Sequence, residues 1–328
     1  MKTGNQMVFL NTFEPPEWYG ADRRELCDKI LKWIPDYILQ RDLVNEGNIK
    51  IFFLSGGVSS IVCRIETDSE KYVLKILTSH DVTEGEALFL REWSRIGIRT
   101  PRIVDEGISL GHAYLLMEHI EAKTLSQKFT PQELLEKKIF FTLGRTLAIM
   151  HTPTARGCGE IKGGTVQFND ARTWWQGSKI KEEIAYAMEN KLIPETLIDS
   201  LSSDIEDFIG YIDTDRTVFC HNDFSVSHVF ATEPLTVIDP NPIIHHPLFD
   251  VARSILTIAN LSIDLSDGTR MFLEGYKEQS SCSLTYLKSA LLLQACLKFS
   301  YWHRAGKSKS IEKARKFLDN YEKILSPL

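Results

Sequence analysis

The spacing of apolar residues changes along this chain, and the change limits the folds that it can adopt. Between residues 49 and 77, three segments alternate apolar and polar residues as β-strands do, with turn residues between them. Beyond Glu121 the apolar residues recur mostly at helical spacing. We therefore predict a two-lobed α+β fold, with a β-rich N-terminal lobe over residues 1–119 and a larger helical C-terminal lobe over residues 120–328.

The same periodicity predicts the individual elements. In the N-terminal lobe we expect a helix at 21–44, which Pro35 either kinks or divides, a second helix at 83–97, and strands at 49–54, 59–67, 71–77, 102–107 and 113–118. In the C-terminal lobe we expect a strand-like interval at 217–239 and helices at 131–151, 170–190, 195–212, 248–263, 267–279, 284–304 and 309–325.

Composition narrows the class of protein. The 328 residues carry 38 Lys+Arg against 44 Asp+Glu, a formal net charge of −6, without a dominant run of one sign. Such a chain is not attracted in bulk to nucleic acid or to anionic membranes, so we expect neither as a partner. No apolar stretch reaches the ~20 residues of a membrane span, and the N-terminal segment lacks a secretory signal. The six scattered cysteines predict reduced thiols, a cytoplasmic protein and no zinc site.

Two N-terminal segments carry residues that are suited to binding phosphate. Ser55, Gly56 and Gly57 lie between predicted strands, where glycine lets backbone amides approach an anion; a plain hairpin turn is the alternative. Lys75 interrupts an otherwise apolar strand, and an unpaired buried ammonium would be costly. It therefore either faces solvent at a sheet edge or has an anionic partner, for which Glu86 and a nucleotide phosphate are candidates.

Two C-terminal segments carry residues that are suited to catalysis and metal binding. Residues 219–230, FCHNDFSVSHVF, place polar residues between short apolar stretches. Asp223 is suited to act as a general base, and His228 as a metal ligand or base; a capped turn with a core histidine is the alternative. Asp239 ends an apolar strand further on, where it is placed either to hold a divalent cation or to open an Asp-Pro turn.

These features occur in the order that kinase-fold phosphoryl transfer uses. The most specific part is HNDFSVSHVF, followed by TVIDP and then HHPLFDVAR. On these segments the sequence resembles the aminoglycoside phosphotransferase and choline kinase-like family of small-molecule kinases, over roughly residues 54–256. The resemblance implies a protein-kinase-like fold and an ATP-dependent or GTP-dependent phosphotransferase with Mg²⁺ as cofactor, which acts on a hydroxyl group of a small molecule.

The resemblance also implies roles for single residues. Asp223 would be the catalytic aspartate, and Mg²⁺ would be held by Asp239 and His228. Asp250 would brace the catalytic loop, and it also suits a helix N-cap. The implied nucleotide-binding residues are a glycine-containing loop, the strand lysine and its glutamate partner, an inter-lobe hinge and the residue before the metal aspartate: Ser55, Gly56, Gly57, Lys75, Glu86 (or Glu84), Glu118, Ile120 and Ile238.

The sequence departs from the family pattern at His228, where most members have asparagine, although some aminoglycoside kinases have histidine there. No activation segment or Ala-Pro-Glu motif follows Asp239, which argues against a protein kinase.

We expect a small-molecule kinase that works as a monomer or homodimer. Antibiotics, amino alcohols and sugars are all candidate acceptors. An acid-rich segment at 182–215 would favour a cationic or sugar-like acceptor if it lines the acceptor site, and a solvated helix face is the alternative. The alternative function is a catalytically weak pseudokinase that acts as a nucleotide-binding interaction module.

Overall fold

The computed structural model describes residues 6–15, 19–41, 48–54, 60–78, 85–213, 215–261, 265–280 and 283–325. By its contacts the chain forms two compact units. The N-terminal unit comprises Met1–Thr83 and Pro101–Glu121, and the C-terminal unit comprises Glu84–Thr100 and Ala122–Leu328. Segment 84–100 therefore groups with the C-terminal unit, and the lobe boundary at residue 119 stays a prediction. Within the described ranges, no helix is both long enough and apolar enough to cross a membrane.

The N-terminal unit is a six-stranded sheet with one long helix. Its elements are β1 (Gln6–Phe9), α1 (Ala21–Gln40), β2 (Asn48–Phe53), β3 (Ser60–Glu66), β4 (Lys71–Leu77), β5 (Ile103–Ser109) and β6 (His112–Glu118). The strand order is β1-β2-β3-β4-β6-β5, in which β1 pairs with β2 in parallel and the other pairs are antiparallel. The five strands predicted here are confirmed, and β1 was not predicted.

Helix α1 covers one face of this sheet. Its buried side chains recur at helical spacing and share one apolar cluster with β2, β3, β4 and β6: Cys27, Ile30, Ile34, Tyr37 and Ile38. Pro35 lies inside the helix and does not divide it. A proline in this position removes a helical hydrogen bond, and the burial of Ile34 and Ile38 around it offsets that loss. Residues 42–44 of the predicted helix lie outside the described residues.

The C-terminal unit is mainly helical. Its helices are α2 (Glu86–Arg95), α3 (Leu125–Lys128), α4 (Pro131–Glu136), α5 (Ile139–Met150), α6 (Ala171–Gly177), α7 (Ile180–Glu189), α8 (Ile198–Ile212), α9 (Pro247–Ala259), α10 (Leu265–Gln279), α11 (Leu287–Arg304) and α12 (Ser308–Leu325), with a 3-10 turn at Glu195–Leu197. Its strands are β7 (Thr154–Ala155), β8 (Cys158–Lys162), β9 (Thr165–Phe168), β10 (Thr217–Cys220), β11 (Val229–Phe230), β12 (Thr236–Val237) and β13 (Ile243–His245). They form two antiparallel sheets, β7-β10-β13-β8-β9 and β11-β12.

Two of the predicted helices are divided in the structure. The helix expected at 131–151 is α4 and α5, because Lys138 between them adopts a left-handed backbone with φ of 53°. The helix expected at 170–190 is α6 and α7, separated by the extended backbone of Ser178. The short strands β7, β8 and β9 were not predicted, since strands of a few residues carry little periodicity.

Helices α5 and α10 pack with their backbones in direct contact. A Cβ atom on Gly144 of α5 would lie 1.9 Å from the carbonyl oxygen of Phe272. A Cβ atom on Gly275 of α10 would lie 2.0 Å from the carbonyl oxygen of Phe141. Only glycine allows two helices to approach this closely, so both positions are fixed by packing.

Candidate active site

Residues 221–228 form a loop that leaves strand β10 and is held from below by one buried carboxylate. Asp250 Oδ2 accepts a hydrogen bond from the backbone N–H of His221 at 2.6 Å, and Oδ1 accepts one from the N–H of Asn222 at 2.8 Å. Asn222 has a φ of 54°, a strained value that these two bonds stabilise. Asp250 therefore braces the loop. It does not cap helix α9, because α9 begins at Pro247 and its N-cap is His246.

His221 connects this loop to two further segments of the C-terminal unit. Its ring stacks on Trp93 of α2, with centroids 5.7 Å apart. Its Nε2–H donates to the carbonyl oxygen of Ile238 at 3.0 Å, which joins the loop to the segment that leads to Asp239. Burial, and then His228 nearby, lowers the pKa of His221, so this ring is neutral near pH 7.

His228 lies between the two carboxylates that the sequence singles out. Its Nδ1–H donates to the backbone carbonyl of Asp223 at 2.7 Å. The same nitrogen lies 3.6 Å from Asp223 Oδ2, and Nε2 lies 3.7 Å from Asp239 Oδ2. Because Nδ1 carries the proton, the lone pair of Nε2 points to the side of Asp239. The structure therefore brings Asp223, His228 and Asp239 together.

The donor atoms beside Asp239 fit a divalent cation. The Asp239 side chain is 49% exposed, and its backbone has a φ of 56°, which is unusual for a residue with a Cβ atom. The Asp239 carboxylate leaves most positions around a cation for water and phosphate oxygens, which is how Mg²⁺ is commonly held, whereas the imidazole nitrogen of His228 is a softer donor than the oxygen ligands that Mg²⁺ prefers. The carboxylate thus fits Mg²⁺, with His228 as a weaker second ligand.

The electrostatics of Asp223 involve two cationic residues that the sequence argument did not identify. Burial raises the pKa of Asp223, but Lys298 and then His228 and Arg253 lower it, and the net result is below the usual value. Lys298 Nζ on α11 lies 4.0 Å from Asp223 Oδ1. The only sequence signal for this residue is a lysine inside an apolar stretch of the helix predicted at 284–304.

In the N-terminal unit, Lys75 lies on a central strand. Strand β4 is bonded on both sides, and Lys75 is in register with Val62 of β3 and Leu115 of β6. The alternative of an edge lysine is therefore wrong. Lys75 is half-buried and alternates with Leu74 and Ile76, whose side chains face α1. It consequently lies on the sheet face opposite α1.

The remaining nucleotide-binding candidates lie in both units. Glu118 ends β6, where its N–H donates to Arg102 O at 2.9 Å, and the buried Ile120 follows two residues later. In the C-terminal unit, Glu86 is the half-buried first residue of α2, after Gly85, whose φ of 106° requires glycine. Ser55, Gly56, Gly57 and Glu84 lie outside the described residues.

Comparisons with known proteins place the chain in a family. Residues 50–280 match the model of the phosphotransferase enzyme family. The chain belongs to this family. A search of curated proteins found no match.

Solved structures of other phosphotransferases have a similar fold. A thermostable mutant of aminoglycoside phosphotransferase APH(4)-Ia, in ternary complex with AMP-PNP and hygromycin B, has 16% sequence identity and a TM-score of 0.60, covering 85% of this chain and 94% of that one. Plasmodium vivax ethanolamine kinase has 14% identity and a TM-score of 0.58, covering 93% and 94%. A microcompartment-associated aminopropanol kinase has 16% identity and a TM-score of 0.55, covering 88% and 97%. These likenesses confirm the predicted α+β, kinase-like fold class.

Proposed function

We propose that the protein is a small-molecule kinase that transfers the γ-phosphoryl group of ATP, or of GTP, to a hydroxyl group. The observation that carries this proposal is that Asp223 and His228, on the loop braced by Asp250, meet Asp239 from the segment that follows β12. The side chain of Asp223 is 40% exposed and that of Asp239 is 49% exposed, so both carboxylates are accessible to ligands. Phosphoryl transfer needs alignment of the acceptor and neutralisation of phosphate charge, and the two carboxylates are suited to these separate tasks.

In this proposal Asp223 is the general base. Its carboxylate orients the acceptor hydroxyl and takes the proton as the acceptor oxygen bonds to the γ-phosphorus and the bond to the leaving oxygen breaks. Asp239 and His228 Nε2 would hold Mg²⁺, which neutralises phosphate charge when it is bound. The proposed nucleotide-binding residues rest on the sequence resemblance: Ser55, Gly56, Gly57, Lys75, Glu86, Glu118, Ile120 and Ile238.

For the acceptor we propose a small hydroxyl compound that carries an amine. The support comes from the compounds that the structural neighbours are named for or bind, namely hygromycin B, ethanolamine and aminopropanol. The acid-rich segment adds little to this support, because several of its carboxylates are bonded within the chain. The pairs are Glu183–Arg304, Asp204–Lys288, Asp213–Arg172 and Asp215–His246.

We further propose that the protein acts in the cytoplasm, as a monomer or homodimer, without nucleic acid. The five cysteines within the described ranges are buried thiols, which suits a reducing compartment: Cys27, Cys63, Cys158, Cys220 and Cys296.

A screen of ADP release tests the proposed activity. The purified protein is given Mg-ATP or Mg-GTP with hygromycin B, ethanolamine, 1-aminopropan-2-ol, fructosamine, or no acceptor. We expect at least one acceptor to accelerate ADP or GDP release above the rate with water alone. Asp239→Ala should abolish that rate together with the Mg²⁺ dependence of nucleotide binding, because this carboxylate would hold the metal that neutralises phosphate charge.

The matched control is Glu312→Ala, which removes an exposed carboxylate of α12 and should leave the rate unchanged. Tight binding of Mg-ATP without any ADP production, either with an acceptor or by hydrolysis with water, would contradict the proposed kinase activity. It would favour the nucleotide-binding interaction module.

A further inference from the structure

Lys298 is enclosed by helices α9 and α11 and lies against Asp223. Its ammonium is 4.0 Å from Asp223 Oδ1 and donates a hydrogen bond to Thr257 Oγ1 at 2.6 Å. It also lies 5.3 Å from the ring centroid of Trp302. Only 6% of the Lys298 side chain is exposed, against 40% for Asp223. Lys298 therefore approaches the carboxylate from the protein interior, while the rest of the carboxylate is accessible from solvent.

Packing alone does not account for a lysine in this position. Its neighbours along α11, among them Ala295, Cys296 and Phe299, are fully buried. Burial, and then the Arg253 guanidinium, lowers the pKa of Lys298 to about 7, although Asp223 acts in the opposite direction. An uncharged side chain of similar length would fill the same space without desolvating an ammonium. The charge is thus unfavourable for the helix that carries it.

The charge acts on Asp223. At 4.0 Å, the Lys298 ammonium attracts the nearer carboxylate oxygen, Oδ1. Lys298 lies on the Oδ1 side, and His228 Nδ1 lies 3.6 Å from Oδ2 on the other side. A carboxylate with a cationic or N–H group within 4.0 Å of each oxygen is favoured in that orientation by electrostatic attraction.

We infer that Lys298 is a positioning residue for phosphoryl transfer, which holds the Asp223 carboxylate in the orientation that meets the acceptor hydroxyl. The inference rests on the proposed role of Asp223 as general base. It adds a group from α11 to a site that is otherwise built from the 221–228 loop and Asp239.

Lys298→Met tests the inference, because methionine keeps a long unbranched side chain and removes the charge. The measured reaction is hydrolysis of Mg-ATP by water, which needs no identified acceptor. We expect kcat to fall by about 10–100-fold and KM for Mg-ATP to change by less than about 3-fold, since misplacing a reactive group affects the chemical step. The melting temperature should not fall. Lys288→Met is the matched control on α11, where a half-exposed lysine pairs with Asp204, and its kcat should be unchanged.

A double-mutant cycle with Asp223→Asn separates positioning from other roles. If Lys298 acts through Asp223, adding Lys298→Met to the Asp223→Asn variant should cause no further loss of kcat. The inference is overturned by an unchanged kcat in Lys298→Met, or by an equal further loss in the double variant. It is also overturned if Lys298→Met melts earlier and loses activity in proportion to unfolded protein, since the lysine would then belong to the fold.

The same cycle distinguishes the two proposals from each other. A near-normal kcat in Asp223→Asn would contradict the role of Asp223 as general base and, with it, the proposed kinase mechanism. An inactive Asp223→Asn beside a fully active Lys298→Met removes only the role of Lys298.

Discussion

The interior of the C-terminal unit contains two helix pairs that are built in different ways. Helices α5 and α10 meet backbone to backbone at Gly144 and Gly275, where no side chain fits between them. Helices α9 and α11 instead contribute the ionisable residues Asp250, Arg253 and Lys298 to the interior. The first pair gains dispersion contacts and excludes water, whereas the second desolvates charges, which opposes folding unless they are paired.

The difference indicates that the buried charges of α9 and α11 are present for function and not for stability. The charged groups of α9 and α11 act on one segment, the 221–228 loop. Asp250 accepts its backbone amides, and Lys298 lies beside the carboxylate of Asp223. A change in this charged region should therefore affect activity more than stability, and a change in the glycine pair should do the opposite.

Removal of the Asp223 charge should have the largest effect. Asp223→Asn keeps the shape of the side chain but loses the base, so kcat should fall by about 10²–10⁴-fold. The dissociation constant of Mg-ATP, measured by calorimetry, should change little because the proposed role is toward the acceptor. Asp319→Asn, on the exposed side of α12, serves as the control with unchanged kcat. A near-normal kcat in Asp223→Asn would mean that the charged region does not affect activity more than stability.

Substitution in the glycine pair, Gly144 and Gly275, should lower the stability of the protein. Gly144→Ala places a Cβ atom 1.9 Å from Phe272 O, so α5 and α10 must separate. We expect a loss of about 1–3 kcal/mol, the usual range for overpacking, from denaturant midpoints. Gly210→Ala is the control, because this exposed position on α8 has no atom within 4 Å of an added Cβ, and alanine there should stabilise the protein slightly. Equal effects of the two substitutions would contradict the packing argument.

The burial of Lys298 should appear in the pH dependence of stability. Its pKa is about 7 in the folded protein against 10.5 as the ordinary value, so between these pH values the unfolded chain binds more protons, and the wild-type protein gains stability as pH rises. The groups that face this ammonium are Asp223 from the loop, Arg253 from α9 and Lys307 beyond α11.

Lys298→Met removes this dependence. Below pH 7, the melting temperature of Lys298→Met should be about 2–4 °C higher than that of the wild type. This difference should shrink toward pH 10. Thermal melts of both proteins at pH 6, 7, 8.5 and 10 measure the difference. An advantage that does not change with pH would mean that the ammonium is not desolvated.

An exposed charge should have the smallest effect. Glu312 and Lys316 form an ion pair on α12 at 2.9 Å, and each side chain is more than half exposed. Solvent and salt screen such pairs, so Glu312→Gln should leave both the melting temperature and kcat unchanged within error. A marked loss of melting temperature or kcat would show that removing a charge has such effects even without burial. The effects expected for the charged residues of α9 and α11 would then not depend on their burial.

Much of the fold could be predicted because its signals are local. Alternation in residues 49–77 predicted β2, β3 and β4, and helical spacing predicted α1, α2, α8 and the helices from α9 onward. The expected position of Asp250 beneath the loop was also correct, since HNDFSVSHVF and HHPLFDVAR carry the family pattern. Periodicity could not predict the break at Lys138 or the short strands β7–β9, because a left-handed residue and a few paired residues leave the pattern almost unchanged.

By itself, the sequence determined the order of most of the longer strands and helices and the residues Asp223, His228 and Asp239 as the candidates for catalysis and metal binding. Apolar periodicity and short motifs are properties of neighbouring residues, so they can be recognised in the chain alone. The tertiary structure decided which distant groups meet them. Lys298 reaches Asp223 only because α11 packs on α9 beside the loop, and Gly144 is required only because α10 passes over it. Contacts between residues far apart in the chain depend on packing, and periodicity does not encode them.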